Sequence, residues 1–216
     1  MSFHLINFNS RILKKLAVKV NIKNFTTAMT KKALVFLAPG AEEMEAVISI
    51  DVLRRGGVDV TVTGLPDGDI VRCSRGVNIK PDISIKEAHT KGPFDVLVLP
   101  GGLGGSQALS ESKEVGDLLK EQEKSGRLTA AICAAPTALK AHGVYTGKAI
   151  TSYPAMQAEL EEGAQYIYKP NLVVEDGPLI TSRGPGTAYL FALTIVDKLY
   201  SRDKACEVAK AMLVNY

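Results

Sequence analysis

A doubly wound α/β fold, a mostly parallel sheet with helices on both faces, is predicted from three features of this chain. Apolar runs of strand length alternate with helical patterns from Lys32 onward, which forces crossover connections between parallel strands. The runs are nearly continuous in apolar character rather than alternating with polar residues, as strands buried on both faces require. No internal repeat, low-complexity tract or linker interrupts the order.

Ala33 to Ala38 is the first buried strand. Glu43 to Arg55 follows as a helix, with Met44, Val47, Ile48 and Leu53 read as inward and Gly56-Gly57 as its stop. Val58 to Thr63 is the second strand. Val71 to Ile79, broken by Ser74-Arg75-Gly76, reads as a hairpin inserted between βα units. Asp95 to Leu99 is the next apolar strand, and Pro100-Gly101-Gly102-Leu103-Gly104-Gly105 turns from it into helical segments that end near Ser125-Gly126. Leu128 to Ile132 is a further strand, ending on Cys133. Short strands near Lys148 to Thr151, Leu172 to Glu175 and Leu179 to Thr181 are expected to complete the sheet, with closing helices at Thr187 to Leu199 and Lys204 to Leu213.

The 216 residues, 46% hydrophobic and 23% charged, suit one soluble domain with a well-filled core, placed at residues 30–216. Net charge is +3, but Arg11, Lys14, Lys15, Lys19, Lys23, Lys31 and Lys32 precede the first acidic residue, Glu42. The remainder is slightly acidic, which gives no reason to expect a nucleic-acid partner. Three cysteines, Cys73, Cys133 and Cys206, stand at no metal-like spacing and are odd in number. Neither a zinc site nor a disulfide framework is indicated, and a reducing compartment follows.

Residues 1–29 form a basic leader too interrupted by polar residues to span a bilayer. Two readings stay open: an amphipathic mitochondrial presequence over residues 1–28, or an incidental tail with Met29 as an internal start.

The stretch Leu128-Thr129-Ala130-Ala131-Ile132-Cys133-Ala134-Ala135-Pro136-Thr137 carries the chemistry. An apolar strand ends on one cysteine, and small residues plus proline open a helix behind it, the shape of a nucleophile elbow. Free N–H groups and the helix dipole at such a turn favour a thiolate without any metal. A buried core cysteine is the competing reading, since free cysteine packs as a small hydrophobe and the strict Gly-x-nucleophile-x-Gly signature is absent.

In open α/β sheets, ligands gather beyond the carboxyl ends of the strands, so the loops after Ala38, Leu99 and Ile132 are expected to share one crevice. Glu45, in the first turn of its helix and partly buried, is positioned to exchange a proton with Cys133; dipole compensation is the alternative, and the preferred one for Glu42 and Glu43. Gly102 and Ala134 are candidates for an oxyanion-binding N–H pair, with Gly101 beside them, against a tight turn of no special function. Gln107 stands where a dinucleotide fingerprint needs glycine, and no Walker A pattern occurs, so no nucleotide cofactor is indicated. His4, His89 and His142 are all poorly placed for a cysteine–histidine dyad, which disfavours a protease or glutamine amidotransferase. Arg183-Gly184-Pro185-Gly186 sets a rigid turn near the crevice, with Arg183 either an anion contact or a surface arginine. Arg75 and Cys73 lie on the inserted hairpin, more in keeping with association than catalysis.

Four separated motifs resemble the protein deglycase branch of the ThiJ/PfpI superfamily. They are Ala33-Leu34-Val35 with Gly40-Ala41-Glu42-Glu43-Met44-Glu45, Val98-Leu99-Pro100-Gly101-Gly102, Ala130-Ala131-Ile132-Cys133-Ala134, and Thr181-Ser182-Arg183-Gly184-Pro185-Gly186-Thr187. The resemblance runs from about Thr30 to Val214. It implies a flavodoxin-like homodimer that is cytoplasmic and also nuclear, with Cys133 as nucleophile, Glu45 as protonated partner, and Gly102 and Ala134 as oxyanion contacts. It further implies cofactor-free conversion of glyoxals to hydroxy acids, deglycation, peroxide sensing through a cysteine sulfinate, and redox-responsive chaperone behaviour. Small dicarbonyl or glycated compounds are the implied substrates. Two departures stand out: Tyr153 occupies a position where close relatives carry histidine, and Lys80 one where a relative has a cysteine at the dimer surface.

Overall fold

The computed structural model describes residues 30–216; the two readings of residues 1–28, and the start at Met29, lie outside the described residues. Seven strands form the central sheet. In chain order these are β1 (Lys32–Leu37), β2 (Asp59–Gly64), a hairpin of β3 (Val71–Arg72) and β4 (Asn78–Ile79) standing apart from the sheet, then β5 (Ile83–Ser84), β6 (Val96–Leu99) and β7 (Leu128–Ile132). After β7 come a small separate pair, β8 (Ala149–Ile150) with β9 (Ile167–Tyr168), and finally β10 (Val173–Asp176) and β11 (Leu179–Ser182).

The central order is β10-β11-β7-β6-β1-β2-β5, parallel throughout except where β10 pairs antiparallel with β11. The five strands β2-β1-β6-β7-β11 reproduce the flavodoxin-like winding, in which the chain reverses direction across the sheet between β1 and β6. Loops leaving β1 and β6 diverge at that point and open a crevice at the carboxyl edge.

The continuous apolar runs are explained by burial on both faces. Ala33, Val35 and Leu37 of β1 face one core with Val60, Val62, Val98 and Ile132, while Leu34 and Phe36 face the other with Leu97, Leu99 and Ala131. On the first face lie α1 (Glu43–Arg55) and two closing helices, here numbered after those between: α2 (Ile85–Lys91), α3 (Leu103–Glu111), α4 (Lys113–Lys124), α5 (Pro136–His142) and α6 (Gln157–Glu161) precede α7 (Ala188–Leu199) and α8 (Arg202–Ala211). On the second face, α2 to α5 contribute Ala88, Leu109, Leu119 and Leu139 to the other core. A fully buried side chain of the size of Phe36 or Phe191 stabilises the fold by about 2 to 3 kcal/mol relative to exposure.

Two expectations are corrected, and one segment is added. Met44 and Val47 are 52% and 48% exposed, because α1 turns Ala46, Ser49, Ile50 and Leu53, spaced at helical intervals, toward the sheet and α7. The strand near Lys148 to Thr151 does not complete the central sheet: β8 pairs with β9, and Asp176 accepts from Ala149 N at 2.8 Å across the gap. Finally, β5 and α2 fill a segment left without assignment, held by a capping box in which Glu87 accepts from both the backbone and the hydroxyl of Ser84.

Candidate active site

Cys133 sits at φ +64, a conformation rare for any residue with a side chain, immediately after β7. Its backbone is pinned on both sides: its N–H donates to Ser182 O at 3.0 Å and its carbonyl accepts from Tyr153 N at 2.8 Å. Strained backbone of this kind persists only where neighbours over-determine it. Small residues are required behind it, and Ala134 and Ala135 are almost entirely buried before Pro136 opens α5.

Glu45 reaches the same point from the first turn of α1 and is wholly buried. Glu42 caps that helix, its Oε2 accepting from Glu45 N at 2.8 Å, and so aims the turn. One carboxyl oxygen of Glu45, Oε2, accepts from Gly101 N at 2.7 Å; the other, Oε1, is buried with no oxygen or nitrogen partner among the described residues. The Cys133 sulfur stands near enough to this carboxyl for each group to shift the other's titration.

The electrostatics differ from what the helix terminus alone would give. Burial raises Glu45 to about 7, against the N–H of Gly101 and the contact with Cys133, which pull it down. Burial, then the negative charge of an ionised Glu45, push the Cys133 thiol up to about 12, outweighing the Gly102 and Ala134 N–H groups that stabilise a thiolate. The N–H groups of Gly102 and Ala134 thus act toward the thiolate, while burial and an ionised Glu45 act against it. A proton placed on Glu45 removes the repelling charge and supplies an O–H donor to sulfur, so the two groups titrate as a pair.

Gly101 and Gly102 allow this approach. A Cβ on Gly101 would lie 2.6 Å from Cys133 Cβ and 2.8 Å from Glu45 Oε2. Gly102 adopts φ +82, and a Cβ there would stand 2.3 Å from Gly40 O.

Above the sulfur opens a crevice of about 620 Å³ whose lining includes Cys133, Ala134, Gly102, Arg75, Tyr153 and Pro185. The loops after β1, β6 and β7 thus do converge, joined by the hairpin turn and the Gly184 to Thr187 segment. Tyr153 is 47% exposed and stands at the mouth. A match to the description "DJ-1/PfpI family" covers residues 31–198. The chain belongs to the DJ-1/PfpI family.

Its DJ-1/PfpI relatives are close and cover nearly the same span. Protein dj-1beta of Drosophila melanogaster is 58% identical over 87% of this chain and 100% of its own. The crystal structure of that protein superposes with a TM-score of 0.84, again over 87% of this chain and 100% of the other. Parkinson disease protein 7 homolog of Danio rerio is 53% identical over 86% of this chain and 98% of its own. Glutathione-independent glyoxalase DJR-1.2 of Caenorhabditis elegans is 41% identical over 86% of this chain and 97% of its own.

Other residues of this DJ-1/PfpI chain fall differently from expectation. Arg183 does not line the crevice: its guanidinium donates to Pro170 O at 2.7 Å and anchors the loop from outside. Glu43 does more than compensate a dipole. Its buried carboxylate accepts from Ser74 Oγ, Arg75 N and Val77 N and clamps the hairpin; although burial opposes it, these bonds hold its pKa below the usual range. Cys73 is buried and pushed up to about 11 by burial and by Glu43 and Glu42, and, unlike Cys133, its thiol is not set against stabilising backbone N–H groups. Leu103, Ala155 and Met156 also line the crevice and were not singled out from sequence. Met156 closes a 3-10 turn opened by Tyr153-Pro154, and that turn was the available signal. Among the described residues no helix is long and apolar enough to cross a membrane.

Proposed function

We infer that this protein is a cofactor-independent glyoxalase that converts methylglyoxal to lactate, with Cys133 as nucleophile and Glu45 as proton carrier. The observation that carries this reading is the wholly buried Glu45 carboxyl, raised to about 7, set against the strained Cys133 beneath an open crevice. A titratable pair tuned toward neutrality is what proton transfer at physiological pH needs. The C. elegans relative named a glutathione-independent glyoxalase adds support.

In the mechanism, the Cys133 proton passes to Glu45 and the sulfur attacks the aldehyde carbon, giving a hemithioacetal. Negative charge moves from sulfur to the former carbonyl oxygen, within reach of the Gly102 and Ala134 N–H groups that had stabilised the thiolate. Glu45 gives its proton to that oxygen, then takes the proton from the first carbon and returns it at the second, while the hydroxyl proton passes from the first oxygen to the second, converting the hemithioacetal to a lactoyl thioester. Water then hydrolyses the thioester, releasing lactate and restoring the thiol. Tyr153 at the crevice mouth offers no imidazole, so the proton transfers are assigned to Glu45. Small dicarbonyls are the substrates, and glycated amines extend the same chemistry.

The test is lactate formation from methylglyoxal by the purified protein and by Cys133→Ser. Loss of activity in the variant is expected; equal rates would remove Cys133 from the reaction.

A second reading, peroxide sensing, is favoured by the unpartnered Oε1 of Glu45. Cys133 thiolate would take oxygen from one hydroperoxide to give sulfenate and water, and from a second to give sulfinate, which a protonated Glu45 can hydrogen-bond. Peptide mapping after mild peroxide should find oxidation at Cys133 ahead of Cys73 and Cys206. For self-association, the support is a set of exposed apolar side chains: Met44 and Val47 on α1, and Ile70 and Val77 at the adjoining hairpin.

A further inference from the structure

The crevice over Cys133 does not end at the residues that perform the proposed chemistry. A second cavity of about 660 Å³ adjoins it, and Leu103, Ala134 and Met156 line both. Methylglyoxal has few heavy atoms, whereas cavities of roughly 300 to 1,000 Å³ each accommodate a drug-sized molecule. The second space is built from α3, α5, α6 and the segment after α6, none of which supplies a reacting group.

Its polar groups have a definite sense. Ser106, 2% exposed, and Gln165 stand in its wall, each with a buried side-chain oxygen, Oγ and Oε1, that has no partner among the described residues. Burying such atoms without a partner costs about 1 to 3 kcal/mol each, a cost that a ligand donor removes. Four charged residues line the space. Lys140 is held by Glu159 O and by Glu162, with Nζ to Oε2 at 3.3 Å. That ion pair neutralises one carboxylate and leaves Glu111 and Glu159 as uncompensated negative charges in the lining. Glu111 accepts only from the neutral amide of Gln107, at 2.9 Å.

We propose that this chamber is a specificity subsite for the cationic, hydrogen-bond-donating tail of an extended α-oxoaldehyde whose aldehyde end reacts at Cys133. The proposal rests on the glyoxalase reading. With the developing oxyanion held at Ala134 N–H, a chain of several carbons passes between Leu103 and Met156 and enters the chamber. There an ammonium N–H meets the two free carboxylates of Glu111 and Glu159, with the unpartnered Ser106 Oγ and Gln165 Oε1 in the wall beside them. A tail of the same shape without charge leaves those acceptors as unsatisfied as they were.

Two oxoaldehydes of equal length test this, one ending in a protonated dimethylamino group, which forms no imine, and one in an isopropyl group. The charged compound is expected to show about tenfold higher kcat/KM, a ratio that falls toward one in the Glu111→Gln/Glu159→Gln double variant and in high salt. Equal kcat/KM for the pair, or a ratio untouched by the double variant, overturns the subsite. The chamber is also read without chemistry, by an NMR titration of the Cys133→Ser protein with N,N-dimethylbutylammonium. Saturable shifts at the Ser106, Ala134 and Gln165 amides, lost in the double variant, are expected, and their absence overturns the proposal even if methylglyoxal is consumed. Shifts in the Cys133→Ser variant, together with no lactate formed by the unsubstituted protein, would uphold the chamber and reject the glyoxalase reading instead.

Discussion

Gly101 N donates to Glu45 Oε2 at 2.7 Å, and a Cβ on Gly101 would lie 2.8 Å from that same oxygen. The loop after β6 and the first turn of α1 are therefore locked through a contact that only glycine permits. Gly101→Ala should destabilise the protein by about 1 to 3 kcal/mol, the usual cost of overpacking. It should also separate Glu45 from Cys133. Urea denaturation reads the first effect and the rate of Cys133 alkylation the second. An alanine variant of unchanged stability and reactivity would show that the loop yields without cost.

The raised pKa of Glu45 has a stability consequence whose sign is fixed. A carboxyl at about 7 when folded and near 4.5 when unfolded binds its proton more tightly in the folded state. The stabilisation it brings is complete below about 4.5 and is lost as pH rises through about 7, for a total of roughly 3 kcal/mol. Glu45→Gln retains an acceptor for Gly101 N but cannot ionise. Its unfolding free energy should be flatter than that of the parent between those pH values, and higher than the parent's at pH 8. Parallel pH profiles for the two proteins would place the proton elsewhere.

The same substitution separates two origins of thiol reactivity. With Glu45 present, the thiolate forms by moving a proton within the pair, so it is available once the pair has lost one proton. With glutamine in its place, the repelling charge is gone but so is the acceptor, and burial alone opposes ionisation. Iodoacetamide labelling of Cys133 should slow several-fold at pH 7 in Glu45→Gln, with its pH midpoint moved upward. A midpoint left where it was would mean that the Gly102 and Ala134 N–H groups govern the sulfur by themselves.

Much of this arrangement was legible because it rests on local requirements. An apolar strand followed by Cys133-Ala134-Ala135-Pro136 specifies a sharp turn, and the turn is there at φ +64. The winding order followed from strand-length runs separated by helical ones. Other parts depended on distant partners. Met44 and Val47 were read as inward because apolar spacing alone cannot say which side of a helix meets the sheet; Ala46 and Ser49, small and close to the strands, occupy that side instead. Residues 83 to 91 carry little apolar periodicity, and their one local signal, Ser84 with Glu87, marks a helix start. Arg183 lies beside the crevice in sequence terms, but its side chain is drawn to Pro170 O, a partner thirteen residues away.

Glu43 ties the hairpin to α1 through both carboxyl oxygens, which are free to accept together only while it is ionised. Its pKa is depressed when folded, so the stabilisation is present above the ordinary carboxylate range and lost as pH falls through the folded value. Glu43→Gln should reproduce the low-pH state at neutral pH. Amide exchange at Arg75 and Val77, whose N–H groups it accepts, should accelerate while the central strands keep their protection. Unaltered exchange there would assign the hairpin's position to its backbone bonds, such as Ser74 N to Ala41 O at 2.8 Å.

Thr187 holds the remaining wall of the crevice. Its Oγ1 lies 2.7 Å from Ser182 Oγ, accepts from Arg183 N at 3.2 Å and Gly184 N at 3.1 Å, and donates to Gly184 O at 2.9 Å. The carbonyl of Ser182 in turn accepts the N–H of Cys133. Thr187→Val keeps the shape of the side chain and removes the hydroxyl, leaving polar groups at the turn without their partner at a cost of about 1 to 3 kcal/mol. Because Pro185 is carried on this turn while Cys133 is also held by Tyr153 N, the wall should loosen more than the nucleophile. KM for methylglyoxal should therefore rise with kcat changed less, a split that steady-state kinetics at several substrate concentrations resolves. A fall in kcat with constant KM would mean instead that Ser182 is the main support of the strained cysteine.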